Sequence, residues 1–288
     1  MPTLREVKKR IKTVVSTKRI TKAMEMVAAA KLRRAQQKVE QSRPYSQKMD
    51  EMLSHLAAGS AGEIVHPYFE ERPVKKKTLV IIASDRGLCG SFNANLIRRA
   101  SRWLEENASY DIEIVAIGKR TNDFFKRRSW PLVGYWGDWG GVLDYDQTRE
   151  IVQFLTGRFV KGETDEISVL FTRFISMVRY NITLDKYLPI ARPEVGDDSG
   201  SNREYIFEPD PEAIYAALMP GYATTKMVTA LVESLASEHG SRMMAMGNAT
   251  TNAGEMIQTL TLDYNKARQA QITKELLEVV SGAEALKW

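Results

Sequence analysis

Residues 243–267 read MMAMGNATTNAGEMIQTLTLDYNKA, and the spacing of their apolar and small positions decides the fold. Met246, Ala249, Ala253, Met256, Leu260, Tyr264 and Ala267 follow one another in steps of 3 or 4, which places them on one face of a helix. The pattern runs from Gly221 nearly to the end of the chain. Those roughly 66 residues, rising about 1.5 Å each, span roughly 100 Å. A globule of 288 residues has a radius of gyration of only ~19 Å, and so a diameter of about 50 Å. A helix twice as long as its own globule protrudes and needs a partner for its apolar face. The chain therefore reads as one part of a larger assembly.

The beginning of the chain carries a matching seam. Val7, Ile11, Val14, Thr21, Met24, Ala28, Leu32, Ala35 and Val39 recur at helical spacing. Thr3, followed by Glu6, has capping-box spacing and starts this helix. Pro44 predicts a kink, with resumption through Met49, Met52, Leu53 and Leu56. Toward the other end, Asp210 with Pro211 opens a helix, which Pro220–Gly221 is expected to break after about two turns before the long run begins. Both seams mix Met and Leu with Ala, and small residues let two helix axes approach closely. The expected architecture is an antiparallel coiled coil formed by the two ends of the chain. Residues 1–58 and 209–288 then make one discontinuous unit, with a Rossmann-like α/β domain over residues 74–192 attached to it.

Residues 78–189 alternate differently. Residues 78–84 (TLVIIAS) and 112–117 (IEIVAI) are β-rich, and each precedes a helical pattern, at 92–107 and 119–128. Residues 132–136 form a possible third strand, Asp144 with Gln147 opens a helix to about Lys161, and residues 167–174 and 180–188 close as a hairpin. Strand–helix alternation argues for a mostly parallel sheet of unreadable strand order. Residues 193–204 are a polar loop.

Composition narrows the class. Hydrophobic residues make up 43% and charged residues 27%, as in an ordinary water-soluble protein. No apolar run approaches the ~20 residues of a membrane span, and no secretory or transit segment is visible. Cys89 is the only cysteine, which excludes an intramolecular disulfide. Residues 1–48 hold 14 Lys or Arg against 3 Glu, a net +11, so the remainder carries −6 of the overall +5. A first helix this basic implies an acidic partner.

Candidate chemistry is sparse. The turn SDRGLCGSFN (84–93) joins a strand to a helix, the place where α/β folds bind phosphates. It has neither dinucleotide nor P-loop spacing, so a tight turn using Gly87 and Gly90 for unusual backbone angles is the simpler reading. His55, His66 and His239 are scattered and join no Cys/His cluster of metal spacing. Asp197–Asp198 sits in the polar loop, and no Ser/His/Asp arrangement stands out. No active site, metal or cofactor is expected.

Two long stretches and one short one carry a resemblance. Residues 11–36, IKTVVSTKRITKAMEMVAAAKLRRAQ, resemble the N-terminal helix of the gamma subunit of the rotary ATP synthase. Residues 236–286, ASEHGSRMMAMGNATTNAGEMIQTLTLDYNKARQAQITKELLEVVSGAEAL, resemble its C-terminal helix, and the turn at 84–93 its central motif. Departures are small: Ser91 stands where glycine is usual, and Gly240, Ser241 and Gly247 replace better helix formers.

This resemblance implies a non-catalytic central-stalk rotor that couples proton translocation through the membrane c-ring to ATP synthesis or hydrolysis. Implied partners are alpha and beta subunits of the catalytic head, the epsilon subunit and the c-ring. The implied location is peripheral, on the cytoplasmic face of a bacterial inner membrane. It further implies that Lys9, Arg10, Lys22 and Met24 lie near loops of the beta subunit, and Arg268, Gln269 and Thr273 near a catch region of beta. Ile272, Leu276, Leu277, Val280 and Leu286 would form an apolar tip inside a sleeve of the head. Two rival readings remain: a basic coiled-coil protein binding nucleic acid, and a nucleotide-dependent α/β enzyme using residues 84–93.

Overall fold

A computed structural model describes residues 3–59, 66–177, 179–191 and 211–285. A 56-residue helix α1 (Leu4–Gly59) opens the chain, and a 75-residue helix α5 (Pro211–Ala285) closes the described part. Between them come β1 (Lys76–Ile82), α2 (Phe92–Glu106), β2 (Asp111–Ile117), α3 (Lys119–Phe125), β3 (Leu132–Trp136), α4 (Tyr145–Val160), β4 (Glu166–Phe174) and β5 (Tyr180–Leu188). The strand order is β3-β2-β1-β4-β5. The first four strands are parallel, and β5 returns antiparallel to β4 as the expected hairpin.

By packing, the chain divides into two compact units, Met1–Val27 with Met243–Trp288, and Ala28–Arg242. In the first, Thr250 Oγ1 donates to Thr21 Oγ1 at 2.8 Å. A Cβ built on Gly247 would lie 3.7 Å from the Glu25 carboxyl carbon, and one on Gly254 would lie 3.2 Å from Lys18 Nζ. Partners on α1 descend as those on α5 rise, so the helices are antiparallel. Val7, Thr21, Met246 and Ala253 are buried between them. Ile257, half-buried, takes the seam position expected of Met256, which is 50% exposed. A step of 4 from Ala253 keeps the stripe facing the partner helix, where a step of 3 turns the side chain out.

In the second unit α1 and α5 again run antiparallel. Arg43 Nη2 reaches Glu233 Oε1 (3.3 Å), Tyr222 Oη donates to Asp50 Oδ1 (2.8 Å), and Tyr215 Oη donates to the Leu53 carbonyl (3.4 Å). Ala28, Leu32, Ala35, Val39, Met49 and Leu53 are buried along α1. Helix α2 and helix α3 cover one face of the sheet through Leu96, Ala100, Trp103, Leu104 and Phe125, against Leu79, Ile81, Ile112 and Ile114. On the other side Thr172 of β4 ties to α5: its N–H donates to Ser234 Oγ (3.1 Å) and its carbonyl accepts from Ser237 Oγ (3.1 Å).

The expected break at Pro220–Gly221 is absent, because α5 is continuous through both. Pro220 cannot donate to the carbonyl of Ala216, but both residues are on the exposed face, where water can satisfy that oxygen. Tyr215, Met219, Tyr222 and Ala223 are buried on the opposite face, and their tertiary packing offsets the cost of the proline. Thr224 Oγ1 donates to the Pro220 carbonyl at 2.8 Å. Helix α1 likewise runs on through exposed Pro44. The expected cap Asp210 and the loop 193–204 lie outside the described residues.

Candidate functional site

Open α/β sheets bind ligands where the strand order reverses, outside the carboxyl ends of the strands. Here that point lies beside the end of β1, since β2 and β3 go to one side of it and β4 to the other. Helix α5 occupies it. Leu231, Ser234, Leu235 and Glu238 face Ile82, Ala83, Asp85, Phe92, Ile117 and Trp139, leaving a cavity of about 30 Å³, the space of a single water. The turn after β1 presents carbonyls to the helix: Arg242 donates to Gly87 O (3.3 Å) and Arg86 O (3.3 Å). Arg242 also holds Glu238 at 2.7 Å, and both side chains are nearly buried. Burial pushes the Glu238 carboxyl up, against the downward pull of Arg242's charge and hydrogen bond. The protein's own helix fills the switch point, which leaves no room there for a nucleotide.

The turn differs from expectation in one respect. The left-handed residues are Leu88 (φ 61°) and Gly90 (φ 58°), not Gly87. A Cβ on Gly87 would lie 2.7 Å from Nη2 of Arg120, the end of an exposed, flexible side chain that can move aside. Cys89 is buried beneath the turn, and that burial pushes its thiol up, away from thiolate reactivity.

A second junction joins both long helices to the segment between β3 and α4. Asp138, Gly140 and Gly141 all have positive φ (62°, 59° and 77°), and this bend aims two successive carbonyls at side chains. Lys31 Nζ of α1 donates to Gly140 O at 2.7 Å. His239 Nε2 of α5 lies 3.0 Å from Gly141 O and must carry the proton there, since Arg242 Nη1 donates to Nδ1 at 3.3 Å. Asp85 closes the base, accepting from Trp139 N (2.8 Å) and Lys119 N (3.0 Å).

Desolvation pulls the His239 pKa down to about 4, with Lys31 and Arg242 acting in the same direction and the Gly141 bond opposing them. A folded pKa below the ordinary 6.5 makes neutral His239 stabilising above pH 6.5, an advantage lost as pH falls toward 4. His239→Gln keeps a donor and removes the titration. Between pH 7 and pH 4.5 the wild type should therefore lose about 2–3 kcal/mol relative to this variant, measured by urea unfolding. A difference independent of pH would contradict that.

The residues expected to meet beta separate into two levels of the first unit. Lys22 pairs with Glu25 at 3.1 Å, and Met24 beside it is half-buried. Lys9 is exposed; Arg10 lines a groove with Val7, Leu260, Asp263, Ala267 and Ala270. Arg268, Gln269 and Thr273 are exposed on α5, and the Thr273 hydroxyl donates to the Gln269 carbonyl at 3.0 Å. Ile272 (48%), Leu276 (61%), Leu277 (61%) and Val280 (58%) are exposed, and Leu286 lies outside the described residues. Sequence reasoning missed Lys31, Glu238 and Arg242, and read His239 only as one of three scattered histidines. The signal was available in residues 236–242, ASEHGSR, where a Glu-His pair falls between buried small residues.

Among the described residues no group of three His, Cys, Asp or Glu could hold a metal ion, and no helix is long and apolar enough to cross a membrane. Residues 3–286 match the ATP synthase family model. The ATP synthase gamma chains of Desulforamulus reducens and Moorella thermoacetica are each 45% identical to this chain over 287 residues, covering all of both sequences. Two solved structures share the fold. A central stalk and c-ring chain of the Tetrahymena thermophila mitochondrial ATP synthase matches at TM-score 0.61 with 24% identity, covering 80% of this chain and 99% of that one. A chain of the Euglena gracilis mitochondrial enzyme, solved as OSCP, F1 and c-ring, matches at TM-score 0.65 with 17% identity, covering 98% and 94%. With a family match along nearly its whole length and relatives this similar from end to end, the chain belongs to the ATP synthase gamma chain family.

Proposed function

We propose that this chain is the central rotor of a rotary ATP synthase and performs no chemistry of its own. The observation that carries this reading is the 45% identity to ATP synthase gamma chains over the full length of both sequences. On it, proton flow through a c-ring turns the chain, and the asymmetric helix pair drives three beta subunits in turn through different nucleotide affinities. Residues 1–58 and 209–288 are read as one mechanical unit, and residues 74–192 as a separate domain. Two packed antiparallel helices resist bending and twisting better than either alone, as torque requires.

The net +11 of residues 1–48 suits acidic loops on the head. Charges across such an interface set register and encounter rate more than affinity. Lys9, Arg10, Lys22 and Met24 would serve at those loops, Arg268, Gln269 and Thr273 at a catch region, and the apolar residues beyond in a sleeve. Attachment to the membrane is peripheral, through the c-ring and epsilon subunit, on the cytoplasmic face in a bacterium. Nothing in the comparisons supports nucleic-acid binding.

The deciding test mixes the full chain with a purified alpha–beta head. The expected result is a stoichiometric complex whose ATPase depends on the chain. Failure to form one, together with sequence-independent DNA binding of steep salt dependence, would favour the nucleic-acid reading instead.

A further inference from the structure

We propose that the groove between α2 and α3 docks an acidic amphipathic helix of a partner protein; the proposal rests on the chain's being a subunit of a larger complex. The groove has a volume of about 880 Å³. Its floor is apolar, formed by Leu88, Ala94, Ile97 and Phe124. Its rim carries Arg98, Arg120 and Arg127 against one carboxylate, Asp123, all four exposed, and none of the three arginines forms an ion pair among the described residues.

Three observations point to contact. The first is Leu88, which is 61% exposed and sits in the left-handed region at φ 61°. A residue with a Cβ held there, with its side chain in water, gains nothing from burial to offset the backbone cost. The surroundings over-determine it. Ser84 Oγ donates to Arg86 O (2.7 Å), Asn93 Nδ2 donates to Ser84 Oγ (2.8 Å), and Arg242 holds the Gly87 carbonyl from behind. The turn is thus a rigid mount presenting one apolar side chain outward.

The second is charge. Residues 92–106 carry a net +1 and residues 119–128 a net +4. Within this face the only ion pair among the described residues is Arg99 with Glu106. Unpaired arginines around an apolar floor match a segment bearing carboxylates on its flanks and apolar residues on one side, the helix-in-groove mode of recognition. The third is shape. The apolar lining runs between two helices, a shape that suits a third helix laid along it.

The test places the photocrosslinking residue p-benzoylphenylalanine at Ala94, and separately at Leu88, in the full chain assembled into the purified complete complex. The expected adduct is with a single partner protein, within a segment of net negative charge that carries apolar residues. Arg98→Glu with Arg127→Glu should lower adduct yield at least tenfold, and Arg98→Lys with Arg127→Lys should retain most of it. An adduct with lipid, nucleic acid, a second copy of this chain, or a neutral or basic segment overturns the proposal, as does an assembled complex that gives no adduct at either position. A chain that enters no complex removes the rotor reading and this proposal together.

Discussion

Replacing Arg242 with methionine is expected to destabilise the protein by about 3–5 kcal/mol, because it strands a buried carboxylate. Glu238 and Arg242 are 2.7 Å apart with side chains 9% and 12% exposed. The guanidinium also ties α5 to the carbonyls of Arg86 and Gly87. Methionine fills the volume but supplies neither charge nor donors, so the loss should appear as a melting temperature lower by roughly 10 °C.

The deficit should also depend on pH. Glu238's folded pKa is already raised by burial, with Arg242 restraining the shift. A raised folded pKa means that the folded state holds a proton the unfolded state releases. The stability this gives is present at low pH and lost as pH rises through the folded pKa. Without Arg242 the shift grows, so the variant should be closer to wild type at pH 5 than at pH 8. Adding Glu238→Gln should recover a substantial part of the loss, since it removes the uncompensated charge. A deficit below about 1 kcal/mol, or one that ignores pH, would mean the pair is solvated and does not hold the turn to the helix.

The long helices were legible because their signal is local. Steps of 3 and 4 place Val7, Thr21, Ala28 and Leu32 on one face of α1, whatever lies opposite, and all four are buried. The register of α5 was less legible: Met256 and Ile257 both fit a step from Ala253, and only the position of the partner helix chooses Ile257. Pro220 misled because its cost depends on which face it occupies, and packing by Tyr215 and Tyr222 on the other side overrides it. Strand order stayed hidden because β1 pairs with β4 across some 90 residues of chain, a contact no periodicity records. The junction at Lys31, His239 and Gly140–Gly141 was hidden for the same reason, as its members come from α1, α5 and a connecting segment. Leu88's left-handed backbone was assigned to Gly87 by composition alone.

Removing residues 268–288 is expected to leave the melting temperature of the chain nearly unchanged while weakening its affinity for an alpha–beta head at least a hundredfold, about 2.7 kcal/mol. Every described side chain of the deleted stretch is exposed, so the segment buries almost nothing within its own chain. Helix α5 is half-buried against α1 as far as Ala267, which shares a groove with Val7 and Arg10. Beyond it, Ile272, Leu276, Leu277, Val279 and Val280 stand 48–69% exposed. That much exposed aliphatic surface on one helix end marks a contact with something else. Full burial of each such side chain would contribute about 1.5–3 kcal/mol, so five of them exceed a hundredfold in affinity even after the cost of ordering the helix. Coupling should suffer with affinity: the truncated chain should pump fewer protons per ATP hydrolysed, its α/β sheet intact by circular dichroism. Collapse of the far-UV signal on truncation would instead make the tip a folding element. Unchanged affinity with unchanged pumping would place the grip on the rotor lower, at Arg10, Lys22 and Met24, and leave the apolar end without a mechanical role.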